Sequence, residues 1–244
     1  MTPRPLILAH RGASLEAPEN TLAAFRQAIE LGADGIELDV HLSGDGELVV
    51  IHDERVDRTT NGKGWVKDLT LSQLKSLDAG SWFDPAFKGE RIPTLREVID
   101  LVSGRCKLIN IEIKSGIVLY PGIEEKVLRE VEAADLLGKV IMSSFNHFSL
   151  KTIKEMNPDV KTGILYIEGL VDPWIYARHV PADALHPIFH AVTPEIVNGA
   201  HSAGLGVHVW TVDKPEDITR MSGYGVDAVI TNDPGTAVHL GMDR

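Results

Sequence analysis

The sequence predicts an α/β fold, a (β/α)₈ TIM barrel. Its length of 244 residues is close to the roughly 250 that are typical of one such barrel. Eight strand-like apolar runs follow one another along the chain, and helix-like segments separate most of them. Strands that alternate with helices favour a parallel sheet covered by helices, and eight such units close most economically as a barrel. A doubly wound open sheet is the alternative architecture.

The strands are predicted from short apolar runs, which read PLILAH, DGIELDV, KLINIEI, KVIMSSF, KTGILY, ALHPIF, GVHVWTV and DAVIT. A helix is predicted over residues 19–32, where apolar residues recur at helical spacing and Gly32 is a typical end. Another is predicted over residues 193–204, which begin at Thr193 and end at Gly204. These elements give the alternation on which the barrel prediction depends.

The chain departs from this repeat after Val40. Residues 43–46 read Ser-Gly-Asp-Gly, a strong turn signal, and the strand-like run ELVVIHD follows them. A β-hairpin is therefore predicted, and a turn over residues 43 to 46 would place Glu37 opposite His52.

The connection to the next strand, which begins near Lys107, is far longer than the usual connection of about 2 to 6 residues. We interpret residues of about 53–93 as an inserted cap, with a short helix opened by the capping-box spacing of Thr70 and Gln73. The chain as a whole, residues 1–244, is expected to form one domain.

Composition limits the partners of this protein. The formal net charge of −11 makes nucleic acid and anionic lipid surfaces unfavourable partners. No run approaches the roughly 20 apolar residues of a membrane span, and the first apolar run is too short for a signal peptide. The single cysteine, Cys106, fits a reducing compartment. We expect a cytoplasmic protein with no stable membrane association; its oligomeric state is left open.

Charged residues lie at the carboxyl ends of the predicted strands, where barrel enzymes place their active sites. Glu37 and Asp39 are two residues apart and point to the same side of one strand, and Glu112 ends the next. Three converging carboxylates favour a hard divalent cation such as Mg²⁺ or Ca²⁺ over zinc. Solvated surface carboxylates are the alternative, but burial in apolar strands disfavours it.

Two histidines and two cations accompany these carboxylates. His10 ends the first strand and His52 ends the hairpin, and imidazole is well suited to transfer protons near neutral pH. Arg11 and Lys114 are natural phosphate ligands, although ion pairs with the nearby carboxylates are an alternative for both. His186 is interpreted as a packing residue because no ligand spacing accompanies it.

The motifs AHRG, PENTLAAF, GIELDV, VVIHD, NIEIK, SSF, VHVWTV and VITNDP occur in an order that resembles the glycerophosphodiester phosphodiesterase family in its short, soluble bacterial form. The resemblance covers nearly the whole chain. It implies that His10 and His52 are the acid/base pair, that Arg11 and Lys114 contact phosphate, and that the metal ligands are Glu37, Asp39 and Glu112. It further places Glu19 in the site or beside it, and Phe145 and Trp210 in the pocket lining. Asn20 is expected to cap a helix.

The resemblance also implies a reaction. Glycerophosphodiesters such as glycerophosphocholine and glycerophosphoethanolamine would be hydrolysed to glycerol 3-phosphate and an alcohol, with one divalent metal ion, Mg²⁺ or Ca²⁺ and with Mn²⁺ as a further candidate. Such an enzyme acts in lipid and glycerol metabolism on a small-molecule substrate. A metal-dependent isomerase or lyase that forms an enediolate is an alternative, and a phosphate-ester binding protein without activity is another.

Overall fold

Eight parallel strands close into a barrel at the centre of the molecule. The computed structural model describes residues 4–242, with strands β1 (Leu6–His10), β2 (Gly35–Leu42), β3 (Leu48–Val50), β4 (Leu108–Ile113), β5 (Val140–Ser144), β6 (Lys161–Tyr166), β7 (Ala184–Pro187), β8 (Gly206–Val209) and β9 (Ala228–Thr231). All except β3 belong to the barrel, which closes where β9 pairs with β1. The predicted TIM barrel is confirmed, and each predicted run overlaps one of its strands.

Helices cover the outside of the barrel. The described residues form α1 (Leu22–Glu30), α2 (Leu71–Ser76), α3 (Leu95–Val102), α4 (Ile123–Ala133), α5 (His147–Met156), α6 (Pro173–His179), α7 (Pro194–Ser202), α8 (Pro215–Tyr224) and α9 (Pro234–Met242). Within residues 4–242, no helix combines the length and the apolar character that crossing a membrane requires. The helices predicted over residues 19–32 and 193–204 are confirmed as α1 and α7.

The start of α1 differs from the prediction in one respect. Thr21, and not Asn20, caps the helix, because its side chain accepts a hydrogen bond from the Ala24 N–H. Asn20 is buried with a positive φ of 57°, and its Nδ2 donates to Asp39 Oδ2 at 2.8 Å. The sequence pattern could not separate these roles, since either residue is a good cap.

The core has two layers, which follow from the alternation of side chains along each strand. Outward residues such as Ile7 and Ala9 of β1 pack with Phe25 and other helix residues in the main hydrophobic cluster. Inward residues of β1 and β9 form a separate cluster around Leu8 and Ile230. His10 is two residues beyond Leu8 and therefore faces the barrel interior at its carboxyl end.

Strand β2 accepts two different neighbours along one edge. Its first half pairs with β1, where the Arg11 N–H donates to the Glu37 carbonyl at 3.0 Å. Its second half pairs with antiparallel β3, and the Ile51 N–H donates to the Asp39 carbonyl at 3.1 Å. Glu37 and Asp39 direct their carbonyls to the same edge, so β1 and β3 approach each other end to end along β2.

The hairpin between β2 and β3 is confirmed, but its predicted register is wrong by one residue. Leu42 pairs with Leu48, so the turn spans residues 43–47 rather than 43–46. The Ser43 N–H donates to the Glu47 carbonyl, and Gly46 has a positive φ of 83° that adds the extra residue. Glu37 is consequently not opposite His52 in this ladder.

The long segment after β3 has a small core of its own. Val56, Val66 and Leu74 are fully buried and pack with residues of β3 and its extension. Thr70 opens α2 with the predicted capping box, which Gln73 completes. This segment adjoins the carboxyl end of β1, because Arg58 forms ion pairs with Glu19 in the connection between β1 and α1.

Candidate active site

The carboxyl ends of β1, β2 and β4 bring the predicted acidic and basic residues together. Strand register places His10 beside Glu37 and places Asp39 beside Glu112. All four side chains face the barrel interior, because residues two apart on a strand point to the same side. The centre of the site is thus formed by strand residues alone, and the pairing of the strands fixes their positions.

Three carboxylates form a compact cluster here. Glu37, Asp39 and Glu112 each offer one oxygen, and the three oxygens lie within 4.8 Å of one another. Glu37 and Asp39 are buried, while the side chain of Glu112 is 12% exposed. Asp39 Oδ1 has no hydrogen-bond partner although it is buried. A hard divalent cation that takes oxygen ligands fits this donor set.

Electrostatics of the cluster also favour a cation. Burial, with repulsion from Asp39 and Glu112, raises the pKa of Glu37 well above its ordinary value. Burial raises the pKa of Glu112 as well. For Asp39 burial acts in the same direction, but Lys114 and Arg11 outweigh it and lower the pKa of this carboxyl. Burial and mutual repulsion thus disfavour three charged carboxylates at this place unless a cation balances them.

Both predicted phosphate ligands are ion-paired. Lys114 Nζ lies 2.8 Å from Glu112 Oε1 and 3.7 Å from Asp39 Oδ1. Arg11 Nη1 donates to Glu19 Oε1 at 2.9 Å, and its Nε lies 3.4 Å from Asp39 Oδ2. The ion-pair alternative considered for these two residues is thus realised, and it leaves their charges at the edge of the pocket.

His10 is held by a chain of two hydrogen bonds. Its Nδ1 donates to Asn232 Oδ1 at 2.7 Å, and Asn232 Nδ2 donates to Asp213 Oδ2 at 2.8 Å. The carboxylate accepts the amide protons and so fixes which end of Asn232 faces the ring. Nε2 of His10 is left without a proton, 4.0 Å from Glu37 Oε2. Burial, followed by the charge of Arg11, lowers the pKa of His10 to about 4.

His52 is held by charged partners instead. Its Nδ1 donates to Asp53 Oδ1 at 2.7 Å, and Arg58 Nε donates to Asp53 Oδ2 at 2.7 Å. Burial works to raise the pKa of Asp53, but the hydrogen bonds from Arg58 and His52 outweigh it and lower the pKa to about 2. The backbone is also supported, since buried His41 Nε2 donates to the His52 carbonyl at 3.0 Å.

Arg58 connects the two sides of the site. Besides Asp53, its guanidinium contacts both carboxylate oxygens of Glu19 at 2.7 Å. Glu19 in turn accepts the hydrogen bond from Arg11. A continuous ion-pair network therefore runs from Arg11 to His52 through the inserted segment.

A pocket of about 360 Å³ opens beside these groups. On its apolar side the rings of Phe145 and Trp210 meet edge to face with centroids 5.6 Å apart. Trp210 is fixed by a 2.8 Å hydrogen bond from Nε1 to the His186 carbonyl. The residues that line the pocket are His10, Arg11, Glu37, His52, Asn110, Glu112, Phe145, Leu165, Trp210 and Ile230.

Seven of the ten predicted site residues line this pocket, and the other three, Glu19, Asp39 and Lys114, contact lining residues.

Sequence reasoning missed the residues that support the predicted site residues. Asn20 was expected to be a cap, and Arg58 lies in a segment without a regular pattern. Asp213 follows β8 and gave no signal. Asp53 could have been found, because it is adjacent to His52.

Residues 10–236 match the sequence model of the glycerophosphoryl diester phosphodiesterase family. A glycerophosphodiester phosphodiesterase of Caldanaerobacter subterraneus subsp. tengcongensis is 55% identical over 237 residues, which cover 97% of this chain and 98% of that protein. A crystal structure of an Agrobacterium tumefaciens glycerophosphodiester phosphodiesterase is 32% identical, with a TM-score of 0.86 over 96% of this chain and 99% of that one.

A third comparison concerns a ligand. The structure of an Oleispira antarctica phosphodiesterase in complex with the product sn-glycerol-3-phosphate is 31% identical, with a TM-score of 0.87 over 99% of this chain and 98% of that one. The sequence match from residue 10 to residue 236 includes every residue of the site described above. The chain therefore belongs to the glycerophosphoryl diester phosphodiesterase family and is an enzyme that hydrolyses phosphoric diesters.

Proposed function

We propose that this enzyme hydrolyses glycerophosphodiesters, including glycerophosphocholine and glycerophosphoethanolamine, to glycerol 3-phosphate and an alcohol in a metal-dependent reaction. The observation that carries the proposal is one pocket that joins a buried three-carboxylate cluster to two cations and two differently held histidines. The product bound by the relative from Oleispira antarctica supports glycerol 3-phosphate as the product.

The metal ligands are Glu37, Asp39 and Glu112, which would hold one Mg²⁺ or Ca²⁺ ion, with Mn²⁺ as a further candidate. When bound, the ion neutralises charge on the phosphoryl oxygens. Arg11 and Lys114 add to this by exchanging part of their present ion pairing for contact with phosphate. Together they offset the repulsion between an anionic substrate and the acidic cluster.

The two histidines have different roles in this proposal, and the difference between their hydrogen-bond partners supports the assignment. His10 is neutral at pH 7, because its pKa lies at about 4, and its free Nε2 is able to accept a proton from the attacking hydroxyl. His52 donates from Nδ1 to the Asp53 carboxylate, which orients its ring for protonation of the departing alkoxide. His10 is therefore the general base and His52 the general acid.

The remaining predicted residues shape the site. Phe145 and Trp210 would pack against the substrate, and Glu19 would orient Arg11. We also propose that the chain acts as one domain, with the segment of about 53–93 covering the histidine side of the pocket. The single cysteine and the net charge of −11 support action on small molecules in the cytoplasm, without nucleic acid or stable membrane association.

A substrate panel tests the proposal. Purified enzyme is incubated with choline, ethanolamine and glycerol diesters of glycerol phosphate, after chelation and again after addition of Mg²⁺, Ca²⁺ or Mn²⁺. Glycerol 3-phosphate should be released from all three substrates only when metal is present. A diester without glycerol hydroxyls should react with a lower kcat/KM. Undiminished turnover in the metal-free enzyme would refute the metal requirement.

Substrates with different leaving groups distinguish the roles of the two histidines. Replacing the acid should slow hydrolysis of glycerophosphocholine about 10²- to 10⁴-fold but slow a p-nitrophenyl ester much less, because p-nitrophenolate leaves without a proton. We expect this pattern for His52→Ala, while His10→Ala should slow both esters alike. His179→Ala, an exposed substitution on α6, is the control and should change neither rate. Equal losses on both esters for His52→Ala would contradict the assignment.

A further inference from the structure

The surface beside the pocket carries an unusual concentration of exposed apolar side chains. Eleven large apolar residues are exposed in the described part of the chain, and eight of them fall within residues 115–122, 145–148 and 167–176. Six of these are between 55% and 90% exposed. We name this group the apolar rim; it consists of Ile117, Leu119, Phe148, Ile167, Val171 and Ile175.

The three segments form one surface, since they follow the neighbouring strands β4, β5 and β6. Hydrogen bonds join them as well. Asn146 Nδ2 donates to the Ser115 carbonyl at 3.1 Å, which ties the second segment to the first. His147 Nδ1 lies 2.9 Å from the Tyr176 hydroxyl, which ties the second segment to the third. The three segments that carry the rim are therefore joined to one another.

The apolar rim is continuous with the catalytic pocket. Phe145 belongs to the same segment as Phe148, is 45% exposed, and also lines the pocket against Trp210. Leu165, the pocket residue on β6, is two positions before Ile167. An apolar path thus leads from the pocket wall onto the outer surface.

An anionic membrane and a second copy of this protein would both fit the apolar rim poorly. The three segments contain Glu168 and Asp172 and no lysine or arginine, and the chain carries a net charge of −11, so an anionic bilayer would be repelled. A second copy of the chain seated here would cover Phe145 and obstruct the pocket entrance. The part of a bound substrate that extends out of the pocket is neither repelled by charge nor an obstruction to the entrance.

We propose that the apolar rim binds an unbranched alkyl chain on the alcohol of the substrate, so that glycerophosphodiesters of apolar alcohols are preferred over those of small polar ones. The proposal rests on the proposed function, and it adds that the pocket holds the glycerol phosphate while the alcohol extends outward. Hydrolysis breaks the bond from phosphorus to the alcohol oxygen; water supplies the new oxygen on phosphorus and the proton on the alcohol.

A homologous substrate series tests this proposal. Glycerophosphoethanol, -butanol, -hexanol and -octanol are compared below the concentrations at which they form micelles, with glycerol 3-phosphate measured. Burying one methylene group completely contributes about 0.8 kcal/mol of binding free energy. Each methylene of the alkyl chain that the rim covers by half should therefore raise kcat/KM about twofold. The octyl ester should therefore exceed the ethyl ester at least tenfold, mainly through KM, because the chain is bound equally in the ground and transition states.

Variants locate the effect on the surface. In Ile117→Ser/Phe148→Ser, which removes two of the six rim side chains, the ratio of kcat/KM for the octyl and ethyl esters should fall severalfold. Met156→Ser is the matched control, because Met156 is 46% exposed at the far end of α5, and it should keep the wild-type ratio. A ratio that persists in the rim variant would overturn the assignment of the rim.

The other outcomes are equally distinct. If the ethyl ester is hydrolysed but kcat/KM is independent of chain length, the rim proposal is wrong and the proposed function stands. If no glycerophosphodiester is hydrolysed with any metal, the proposed function itself fails. The proposal would be overturned if an alkyl chain raised kcat/KM only when it was attached to the glycerol and not to the alcohol. It would also be overturned if the wild-type protein were a dimer in sedimentation experiments and the rim substitutions dissociated it.

Discussion

Single residues decide how each histidine is used. His10 donates its Nδ1 proton to the neutral amide oxygen of Asn232, and His52 donates to the carboxylate of Asp53, each at 2.7 Å. Asn232 fixes the orientation of the His10 ring, and burial lowers the pKa of His10 to about 4 although this hydrogen bond acts to raise it. Asp53 fixes the orientation of the His52 ring. Asn232 therefore acts through His10 as a positioning residue.

Asn232→Ala should reproduce the kinetic pattern of losing the base. With His10 free to rotate, kcat/KM should fall by about 10- to 100-fold for the choline ester and the p-nitrophenyl ester alike. Asn198→Ala, an exposed substitution on α7, should leave both rates unchanged. A loss confined to the choline ester would show that Asn232 serves the general acid instead.

Metal binding can be measured without turnover. An ion present at 100 times its Kd should stabilise the folded enzyme by about 2.7 kcal/mol, which corresponds to a rise in Tm of roughly 5 to 10 °C for a chain of this size. Asp39→Asn should remove most of this rise, and Asp100→Asn, on the exposed face of α3, should keep it. An equal rise in Asp39→Asn would exclude Asp39 as a ligand.

At the scale of elements, Asp34 joins the amino ends of three strands. Its carboxylate accepts hydrogen bonds from the Ile7 N–H at 3.0 Å, from Arg4 at 2.7 Å and from Lys107 at 2.8 Å. Burial works to raise the pKa of Asp34, but the hydrogen bonds from Lys107, Ile7 and Arg4 outweigh it and leave the pKa below its ordinary value.

This shift predicts a pH dependence of stability. Because the folded-state pKa of Asp34 is depressed, its contribution is present above the unfolded-state pKa of about 3.9 and is lost as the pH falls through the folded-state value. Asp34→Asn should therefore cost about 1 to 3 kcal/mol near pH 7, and the difference from the wild type should shrink below pH ~4. Urea denaturation between pH 3 and pH 7 measures it; a difference independent of pH would contradict the prediction.

The inserted segment contacts the site through Arg58, which bonds to Asp53 and Glu19. Arg58→Ala should release Asp53 and reduce kcat/KM for glycerophosphocholine about tenfold, with a smaller loss for the p-nitrophenyl ester, because His52 would lose its orientation. Arg55→Ala removes a nearby exposed arginine that pairs with Asp57 and is the control. Unchanged kinetics in Arg58→Ala would mean that the ion-pair network does not support the acid.

Strand positions could be predicted because each is a short apolar run with its polar residues at one end. Glu37 and Asp39 were predicted to share a face from their spacing alone, and the structure confirms that arrangement. The hairpin register was not predictable, since it depends on the conformation of Gly46. The position of Asn20 likewise depends on tertiary contact with Asp39, which outweighs its local preference for a cap.

At the scale of the whole molecule, closure of the barrel creates contacts that no local pattern contains. His10 and Asn232 are 222 residues apart and meet because β9 pairs with β1. Asp213 reaches the same place from the end of β8. A relay of this kind depends on the order of the strands around the barrel and on their stagger, and the sequence shows only that its members lie near strand ends.

The end-to-end approach of β1 and β3 along one edge of β2 has a consequence for how this enzyme can change over evolutionary time. Three consecutive residues of one strand, 37–39, set the separation between the chain ends that carry His10 and His52. Lengthening or shortening the chain beyond His52 leaves that separation unaltered. Apart from Asp53 and Arg58, which hold His52, the segment that follows can therefore vary in size and composition, and new substrates can be accommodated around the pocket without a change in the spacing of the two histidines.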